Sequence, residues 1–205
     1  MVFLNVCRGK RLDLMTKSLV IVGAGGHGQA VADLAELTGD YHEICFLDDS
    51  FPTSEYAIGK PILGTIETLF SGKLSCDDVF VAIGNNKIRK SIIQRIIESG
   101  LSLVSLIHPK AFVSKYATIE GGVAVMAGAI IGTNAKLKVG ALVNASATVD
   151  HDCILQDYSH IGVGVQLAGG VEVAQASWLQ AGSCAGYFVK TEPGVVYPPG
   201  TVLTN

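Results

Sequence analysis

The sequence predicts an α/β domain with a parallel sheet, followed by a parallel β-helix built from hexapeptide repeats. Two observations lead to this prediction. Strand-like and helix-like segments alternate between residues 18 and 107, which is typical of a small parallel α/β domain. From residue 113 onward, aliphatic residues recur at every sixth position, a period that fits neither an amphipathic helix nor a two-sided strand.

The repeat is uninterrupted over twelve aliphatic positions. They are Val113, Ile119, Val125, Ile131, Leu137, Val143, Val149, Leu155, Ile161, Leu167, Val173 and Leu179. Four residues after each of them stands a small or β-branched residue, from Ala117 to Ser183. In a hexapeptide β-helix the aliphatic side chain fills the interior and the small one fits where the coil tapers, so we expect about four stacked coils up to residue 184.

The preceding segments define a Rossmann-like order of strands and helices. The predicted elements are a strand at 18–23, a helix at 28–38, strands at Glu43–Leu47 and Val79–Ile83, a short helix at Thr65–Phe70, a helix at 87–99 and a fourth strand at Leu101–Ile107. We therefore divide the chain into an α/β domain at 18–109 and a β-helix domain at 110–205. Residues 1–17 are expected to be an extension, with 1–14 either a disordered arm or the product of a start codon chosen too far upstream.

Composition restricts the classes of function. Formal net charge is −3 and only 16% of residues are charged, so there is no electrostatic case for binding nucleic acid or an anionic membrane. No apolar run reaches the roughly 18 residues of a membrane span. Five cysteines without a C-x-x-C pair predict a reduced, cytoplasmic protein; they are Cys7, Cys45, Cys76, Cys153 and Cys184.

The first candidate motif is the glycine loop Gly23-Ala24-Gly25-Gly26-His27-Gly28, between a strand and a helix. Such a loop lets a phosphate approach the backbone at a helix N-terminus, and His27 adds a donor. Asp48 follows twenty residues after Gly28, where an acid often binds a ribose hydroxyl. The domain is about half a dinucleotide fold, which favours a nucleotide or nucleotide sugar. The alternative is a tight strand–helix turn without a ligand.

The second motif is Asp150-His151-Asp152-Cys153, where the repeat places His151 and Asp152 at an exposed turn. A carboxylate beside an imidazole orients the ring and stabilises its charged form, so His151 is a candidate general base. The alternative is a solvated turn histidine. Cys153 is expected to point into the core. His160 is either a second ligand contact or a turn residue, and a zinc site is disfavoured because only two histidines lie within the repeats.

The third motif is the segment 84–90, Gly-Asn-Asn-Lys-Ile-Arg-Lys, at the same carboxyl edge of the sheet as the glycine loop. Lys87 and Arg89 are candidates for phosphate contacts, and Asn85 for a contact to a base or sugar. The alternative is an ordinary helix N-terminus with solvated cations.

Six segments in this order resemble the nucleotide-sugar N-acetyltransferases of the bacillosamine type. They are GAGGHG, FLDD (46–49), AIGNNKIRK (82–90), LIHP (106–109), VNASATVDHDC (143–153) and SHIGVG (159–164). Members of this family transfer acetyl from acetyl-CoA to the 4-amino group of a UDP-linked amino sugar. Relatives acetylate GDP-perosamine, and sialic acid O-acetyltransferases are near neighbours.

The resemblance implies a nucleotide-sugar domain and a left-handed β-helix that forms homotrimers. It implies that His151 is the catalytic base, Asp152 its acid partner and His160 a CoA contact. Nucleotide-sugar contacts are implied at Gly25, Gly26, His27, Asp48, Asp49 and Asn85, with Asn144 near the sugar. CoA contacts between adjacent β-helices are implied at Gly169, Ala181 and Gly182; no metal is expected.

One departure from the family pattern concerns the tail. Residues 186–205 lack the family's closing pattern and contain Pro193, Pro198 and Pro199. The tail is therefore expected to break the repeat and shorten the CoA groove. We predict an acetyl-CoA-dependent N-acetyltransferase of a nucleotide-linked 4-amino-4,6-dideoxy sugar. The alternatives are a sugar O-acetyltransferase and a non-catalytic nucleotide-sugar-binding protein.

Overall fold

A computed structural model describes residues 17–205. Of the predicted extension at 1–17, only Lys17 lies within the described residues. The chain forms a parallel α/β domain followed by a parallel solenoid of about five turns that matches a left-handed β-helix, as the sequence predicts. No helix in the described part of the chain has both the length and the apolar content needed to span a membrane.

The α/β domain contains a three-stranded parallel sheet in the order β2-β1-β5. Its elements are β1 (Lys17–Val22), α1 (Gly26–Thr38), β2 (Tyr41–Leu47), β3 (Tyr56–Ala57), β4 (Lys60–Pro61), α2 (Glu67–Phe70), β5 (Asp78–Val81) and α3 (Asn86–Glu98). The central strand β1 is apolar and fully buried from Leu19 to Val22, because the sheet is covered on both faces.

The predicted fourth strand at Leu101–Ile107 is wrong. Leu103 forms a single parallel bridge to Val79, and the chain then leaves the sheet. Leu106–Ile107 instead pairs with Ala124–Val125 as the first strand of the solenoid. The apolar run is shared between the two parts of the molecule, which periodicity alone does not reveal.

The solenoid has three faces of short parallel strands. Face 1 contains β7 (Phe112–Val113), β10 (Ile130–Ile131), β13 (Thr148–Val149), β16 (Gln166–Leu167), β19 (Cys184–Ala185) and β21 (Val202–Leu203). Face 2 contains β8 (Thr118–Ile119), β11 (Lys136–Leu137), β14 (Ile154–Leu155) and β17 (Glu172–Val173). Face 3 contains β6 (Leu106–Ile107), β9 (Ala124–Val125), β12 (Leu142–Val143), β15 (His160–Ile161), β18 (Trp178–Leu179) and β20 (Val196–Tyr197).

The turns between faces repeat one backbone conformation. A left-handed residue occurs at every sixth position from 122 to 200; eight of these positions are glycine, and the others are Asn134, Ser146, Asp152, Tyr158, Ala176 and Phe188. This conformation suits glycine and asparagine and is unfavourable for bulky residues. From Val125 to Leu179 the predicted aliphatic positions are buried inside the coils, so the turn and interior positions keep the same period.

The predicted break at residues 186–205 is wrong. Strand β20 pairs with β18, β21 pairs with β19, and Lys190 bridges Glu172, so the tail continues the solenoid on all three faces. Thr191 occupies a buried interior position and its hydroxyl accepts a hydrogen bond from the Ala174 N–H at 2.8 Å. A polar residue with a satisfied hydroxyl replaces the aliphatic residue there, which hides the repeat in the sequence.

The α/β domain packs against face 3. One apolar cluster joins its buried residues to Leu106, Ala124, Met126 and Leu142 of the solenoid. At the corner between faces 2 and 3, the fully buried Arg89 donates hydrogen bonds to the carbonyls of Gly140 at 3.0 Å and Tyr158 at 2.8 Å. Its remaining donors reach carbonyls of the 83–84 loop and Asn86. Arg89 is thus a structural link between domains, and its predicted phosphate contact is wrong.

Candidate active site

His151 and Asp152 stand in the turn between β13 and β14. We call the stacked turns at 132–135, 150–153, 168–171 and 186–189 the histidine corner. Asp152 has a left-handed backbone (φ 58°), and its Oδ2 lies 2.8 Å from Nδ1 of His151. The imidazole side chain is 51% exposed. This turn therefore presents a solvent-accessible imidazole–carboxylate pair, as the sequence predicts.

The geometry fixes which imidazole nitrogen can act as a base. Because an ionised carboxylate only accepts hydrogen bonds, Nδ1 of His151 carries the proton and Nε2 keeps its lone pair. The hydrogen bond to Asp152 raises the pKa of His151; partial desolvation opposes this and the charge of Asp150 adds to it. The same hydrogen bond, with one from Asn134, lowers the pKa of Asp152. Asp152 is therefore ionised at neutral pH.

Two glycines determine where the His151 ring lies. A Cβ on Gly169, one coil beyond, would lie 2.4 Å from the ring's Cε1 and 2.5 Å from Nε2. A Cβ on Gly132, one coil before, would lie 2.7 Å from the backbone nitrogen of His151. Gly169 was predicted as a CoA contact, which stays a prediction; the structure shows that it makes the space for the imidazole. The role of Gly132 was not predicted. The signal that could have found it is its position 18 residues, or one coil, before Asp150.

Asn134 holds the Asp152 carboxylate in place through a hydrogen bond. Its Nδ2 donates to Oδ1 of Asp152 at 3.2 Å, which leaves Oδ2 for the imidazole. Beside this pair, an open depression of about 370 Å³ lies on face 2 between Tyr116, Lys136 and Ile154. Sequence reasoning missed Asn134. The signal that could have found it is its position 18 residues, or one coil, before Asp152.

Cys153 is a packing residue, as predicted. The side chain is fully buried in the solenoid core and its thiol donates to the Ala168 carbonyl at 3.2 Å. Burial raises its pKa to about 11, so the thiolate form is suppressed at neutral pH.

The glycine loop contains two kinds of glycine: one that close packing requires, and two whose surroundings leave room for a side chain. A Cβ on Gly28 would lie 1.9 Å from the Gly23 carbonyl oxygen, so Gly28 is required for packing between strand and helix. At Gly25 and Gly26 no atom of the described residues lies within 4 Å of such a Cβ, and both glycines are exposed. Contacts among the described residues do not require glycine at either position, which leaves the N-terminus of α1 open to solvent.

Acidic and amide side chains hold the loops at this carboxyl edge. Asp48 accepts from the Ala24 N–H at 2.8 Å and from the Ser50 N–H at 2.9 Å, while Asp49 is exposed. Burial works against ionisation of Asp48, but these hydrogen bonds outweigh it and lower its pKa. Oδ1 of Asn85 caps α3 by accepting from the N–H groups of Lys87 and Ile88. The Asn85 amide nitrogen and the exposed Lys87 side chain are not used by this cap.

Two imidazoles meet where the glycine loop faces the solenoid. His160 on β15 is 6% exposed and stacks on Trp178, with ring centroids 4.7 Å apart. Burial lowers the pKa of His160 to about 3 and that of His27 to about 4, and the Arg89 charge lowers both further. Both imidazoles are neutral at neutral pH. His27 Nε2, His160 Nδ1 and Trp178 Nε1 are buried and have no hydrogen-bond partner among residues 17–205.

The predicted residues therefore form three groups in one chain. Gly169 lies with His151 at the histidine corner, between faces 1 and 2. His160 lies on face 3 beneath the α/β domain, with His27 and the loops around Asp48 and Asn85. A third group, in the turns between faces 3 and 1, contains Asn144, Ala181 and Gly182. A single chain does not bring His151 together with His160 or with the glycine loop.

This fold and this imidazole–carboxylate pair define the class of hexapeptide-repeat acyltransferases. Residues 18–96 match the PglD N-terminal domain family. The acetyltransferase domain of PglB from Neisseria gonorrhoeae, solved in complex with acetyl coenzyme A, is 39% identical with a TM-score of 0.86, over 93% of this chain and 94% of that one. PerB from Caulobacter crescentus, solved with CoA and GDP-perosamine, is 32% identical with a TM-score of 0.81, over 92% and 91%.

A curated relative gives a shorter match. The UDP-N-acetylbacillosamine N-acetyltransferase of Bacillus subtilis is 36% identical over 116 residues, which are 54% of this chain and 52% of that protein. This match spans about half of that relative, whereas the structural matches span nearly all of theirs. The chain belongs to the PglD and PglB family of β-helix acetyltransferases.

Proposed function

We propose that this protein transfers acetyl from acetyl-CoA to the 4-amino group of a nucleotide-linked 4-amino-4,6-dideoxy sugar. The observation that carries the proposal is the exposed His151, whose Nδ1 is bound to Asp152 and whose Nε2 is available. The open glycine loop at Gly25 and Gly26 supports binding of a nucleotide phosphate. The Bacillus subtilis relative is named for UDP-N-acetylbacillosamine, and PerB was solved with GDP-perosamine, which supports the substrate class.

In the proposed reaction the sugar amine attacks the thioester carbonyl of acetyl-CoA. A C–N bond forms, the C–S bond breaks, and Nε2 of His151 accepts the proton of the amine. The imidazolium is stabilised by Asp152 and by Asp150, whose Oδ2 lies 3.9 Å from Nε2. His151 then passes the proton to the departing thiolate, which returns the base to its neutral form.

We also propose that the working form is a homotrimer. The glycine loop covers face 3, whereas His151 stands on the opposite corner between faces 1 and 2. Sugar and base meet only if the histidine corner of one chain lies beside the α/β domain of another. In that arrangement CoA lies between adjacent solenoids, along Gly169 of one chain and Ala181 and Gly182 of its neighbour. The free thiols of Cys153 and Cys184 support a reducing compartment, proposed to be the cytoplasm.

The decisive experiment measures thiol release from acetyl-CoA with a panel of amino sugars. The panel contains UDP-, GDP- and dTDP-linked 4-amino-4,6-dideoxy sugars, with a sialic acid as the hydroxyl acceptor. Amine-dependent thiol release with one nucleotide sugar, and formation of an amide product, is the expected result. Release with the sialic acid alone would replace the proposal with O-acetylation. Binding of a nucleotide sugar without CoA binding or thiol release would indicate a non-catalytic binding protein.

A further inference from the structure

Two aromatic side chains lie two coils beyond His151 on the same corner. The Gly170 N–H donates to the His151 carbonyl at 2.9 Å, and the Phe188 N–H donates to the Gly169 carbonyl at 3.1 Å. This places Tyr187 and Phe188 about 10 Å from His151 along the solenoid axis, because stacked strands are about 4.8 Å apart. The turn between them is Gly169–Gly170, so no side chain separates the imidazole from the aromatic pair.

The conformation of this pair is unfavourable for folding. Tyr187 is 61% exposed and Phe188 67% exposed, with ring centroids 6.3 Å apart. Phe188 also has a left-handed backbone (φ 61°), although glycine fills eight of the fourteen equivalent turn positions. Its ring lies against Gly170, whose Cβ, if present, would be 2.4 Å from the ring's Cδ1. A bulky, exposed residue held in a strained conformation is typical of a functional site.

We propose that Tyr187 and Phe188 bind the adenine ring of acetyl-CoA. This rests on the proposed function, in which the thioester is held at His151 and the rest of the donor, with its arm folded rather than extended, lies along the histidine corner. The Gly169–Gly170 turn has no side chain to obstruct the flexible arm of the donor. Beyond it, exposed aromatic faces match a purine ring, which stacks on such faces without requiring specific hydrogen bonds. The nucleobase of the sugar is the rival ligand.

The test replaces the rings without straining the backbone. Phe188→Gly removes one ring and restores the residue that the left-handed turn favours; Tyr187→Ser in the same chain removes the second. We expect the double variant to raise KM for acetyl-CoA by about fivefold to a hundredfold, the range of one aromatic–base stack. We expect kcat, and KM for the nucleotide sugar, to be unchanged. With acetyl-pantetheine, which lacks the adenosine, the variant and the natural protein should have equal kcat/KM.

Controls separate binding from folding. Ala176→Gly makes the same backbone change at another corner and should leave both donors unaffected. Phe188→Tyr keeps an aromatic ring at position 188, and in the Tyr187→Ser background it should bind acetyl-CoA more tightly than Phe188→Gly does. The proposal is overturned if kcat/KM falls equally for both donors, if KM rises for the nucleotide sugar instead, or if the variant changes the oligomeric mass. Calorimetry distinguishes the two levels of failure. CoA bound no more tightly than 4′-phosphopantetheine overturns this inference alone, whereas no binding of either ligand overturns the proposed function.

Discussion

His151 has one ring nitrogen committed and the other available, and this asymmetry comes from two short contacts. Asp152 holds Nδ1 at 2.8 Å, and Asn134 holds the second carboxylate oxygen at 3.2 Å. A rotated imidazole would lose its carboxylate partner and point the wrong nitrogen outward. The residue-level prediction is therefore that His151 supplies the base and that its neighbours set its orientation and its pKa.

Replacing His151 with alanine should reduce kcat by about 10²–10⁴, the usual contribution of a general base. The side chain is half exposed and fills no core space, so the thermal stability and the oligomeric mass should not change. Steady-state thiol release and a melting curve measure the two effects. A decrease in kcat of less than threefold, in a variant that remains folded, would exclude His151 as the base.

Replacing Asp152 with asparagine should move the acidic limb of the pH profile to lower pH. Asp152 is the largest cause of the raised His151 pKa, so its removal returns that pKa toward the ordinary value and keeps the base neutral at lower pH. The maximal rate should fall because the ring is no longer oriented. The measurement is kcat/KM against pH, with Asp150→Asn as the comparison, for which a smaller shift is expected. A limb that moves to higher pH contradicts the electrostatic role.

At the scale of elements, the histidine corner is a set of stacked turns in which glycines make room for the catalytic ring. Gly169→Ala places a methyl group where the His151 ring lies, with no barrier from the backbone of residue 169, whose φ is not left-handed. The ring is the end of a movable side chain, so the fold should survive while the base is displaced. We expect a loss of activity of about 10²-fold, the size associated with a misplaced catalytic group.

Gly186→Ala is the matched control for Gly169→Ala. It is in the next coil of the same corner, and among the described atoms its added Cβ would meet only the Leu203 carbonyl, at 3.7 Å. Activity and melting temperature should match those of the natural protein. If Gly169→Ala retained full activity while Gly186→Ala did not, the positioning role assigned to Gly169 would be wrong.

The six-residue period was sufficient to predict the solenoid, the exposed His151 turn and the buried Cys153. Each depends on the phase of a repeat, which is local information. The same reasoning failed where long-range contacts decide the outcome. Thr191 continues the interior only because Ala174 satisfies its hydroxyl, and Arg89 is buried only because solenoid carbonyls satisfy its donors. The contacts of Gly132 and Gly169 with His151 join three stacked turns that lie 18 residues apart in the sequence. The six-residue period alone does not identify these contacts.

At the scale of the whole molecule, the contact between the domains combines an apolar cluster with the buried positive charge of Arg89. Within the described range 17–205, Arg89 is buried and has no carboxylate among its hydrogen-bond partners. His27 and His160 lie close enough for its charge to lower their pKa. Protonating either imidazole would therefore add a second buried cation. The contact between the domains therefore favours the neutral form of His27 and His160.

Stability should fall as pH decreases below about 6.5. The pKa is about 4 for His27 and about 3 for His160 in the folded chain, so the unfolded chain takes up these protons first. The stability is complete above the unfolded pKa and is lost toward the folded values, by about 1.4 kcal/mol per pH unit and per group. Urea unfolding at pH 7.5 and 5.5 measures this. The His27→Gln, His160→Gln double variant should have a flatter pH dependence, and an equally steep one would contradict the assignment.

A complementation experiment tests whether the working site is shared between chains. His151→Ala lacks the base. Gly25→Leu should fold normally, because the backbone φ at Gly25 is −69° and no atom in the described part of the chain lies within 4 Å of its Cβ, yet the leucine should block the phosphate. Each variant alone should be inactive.

In trimers reassembled from an equal mixture, about one interface in four pairs an intact loop with an intact His151, if the two come from different chains. Activity near a quarter of the natural level is the expected result. A mixture as inactive as its components would mean that each chain uses its own histidine, which the separation of face 3 from the histidine corner does not allow without a rearrangement of the domains.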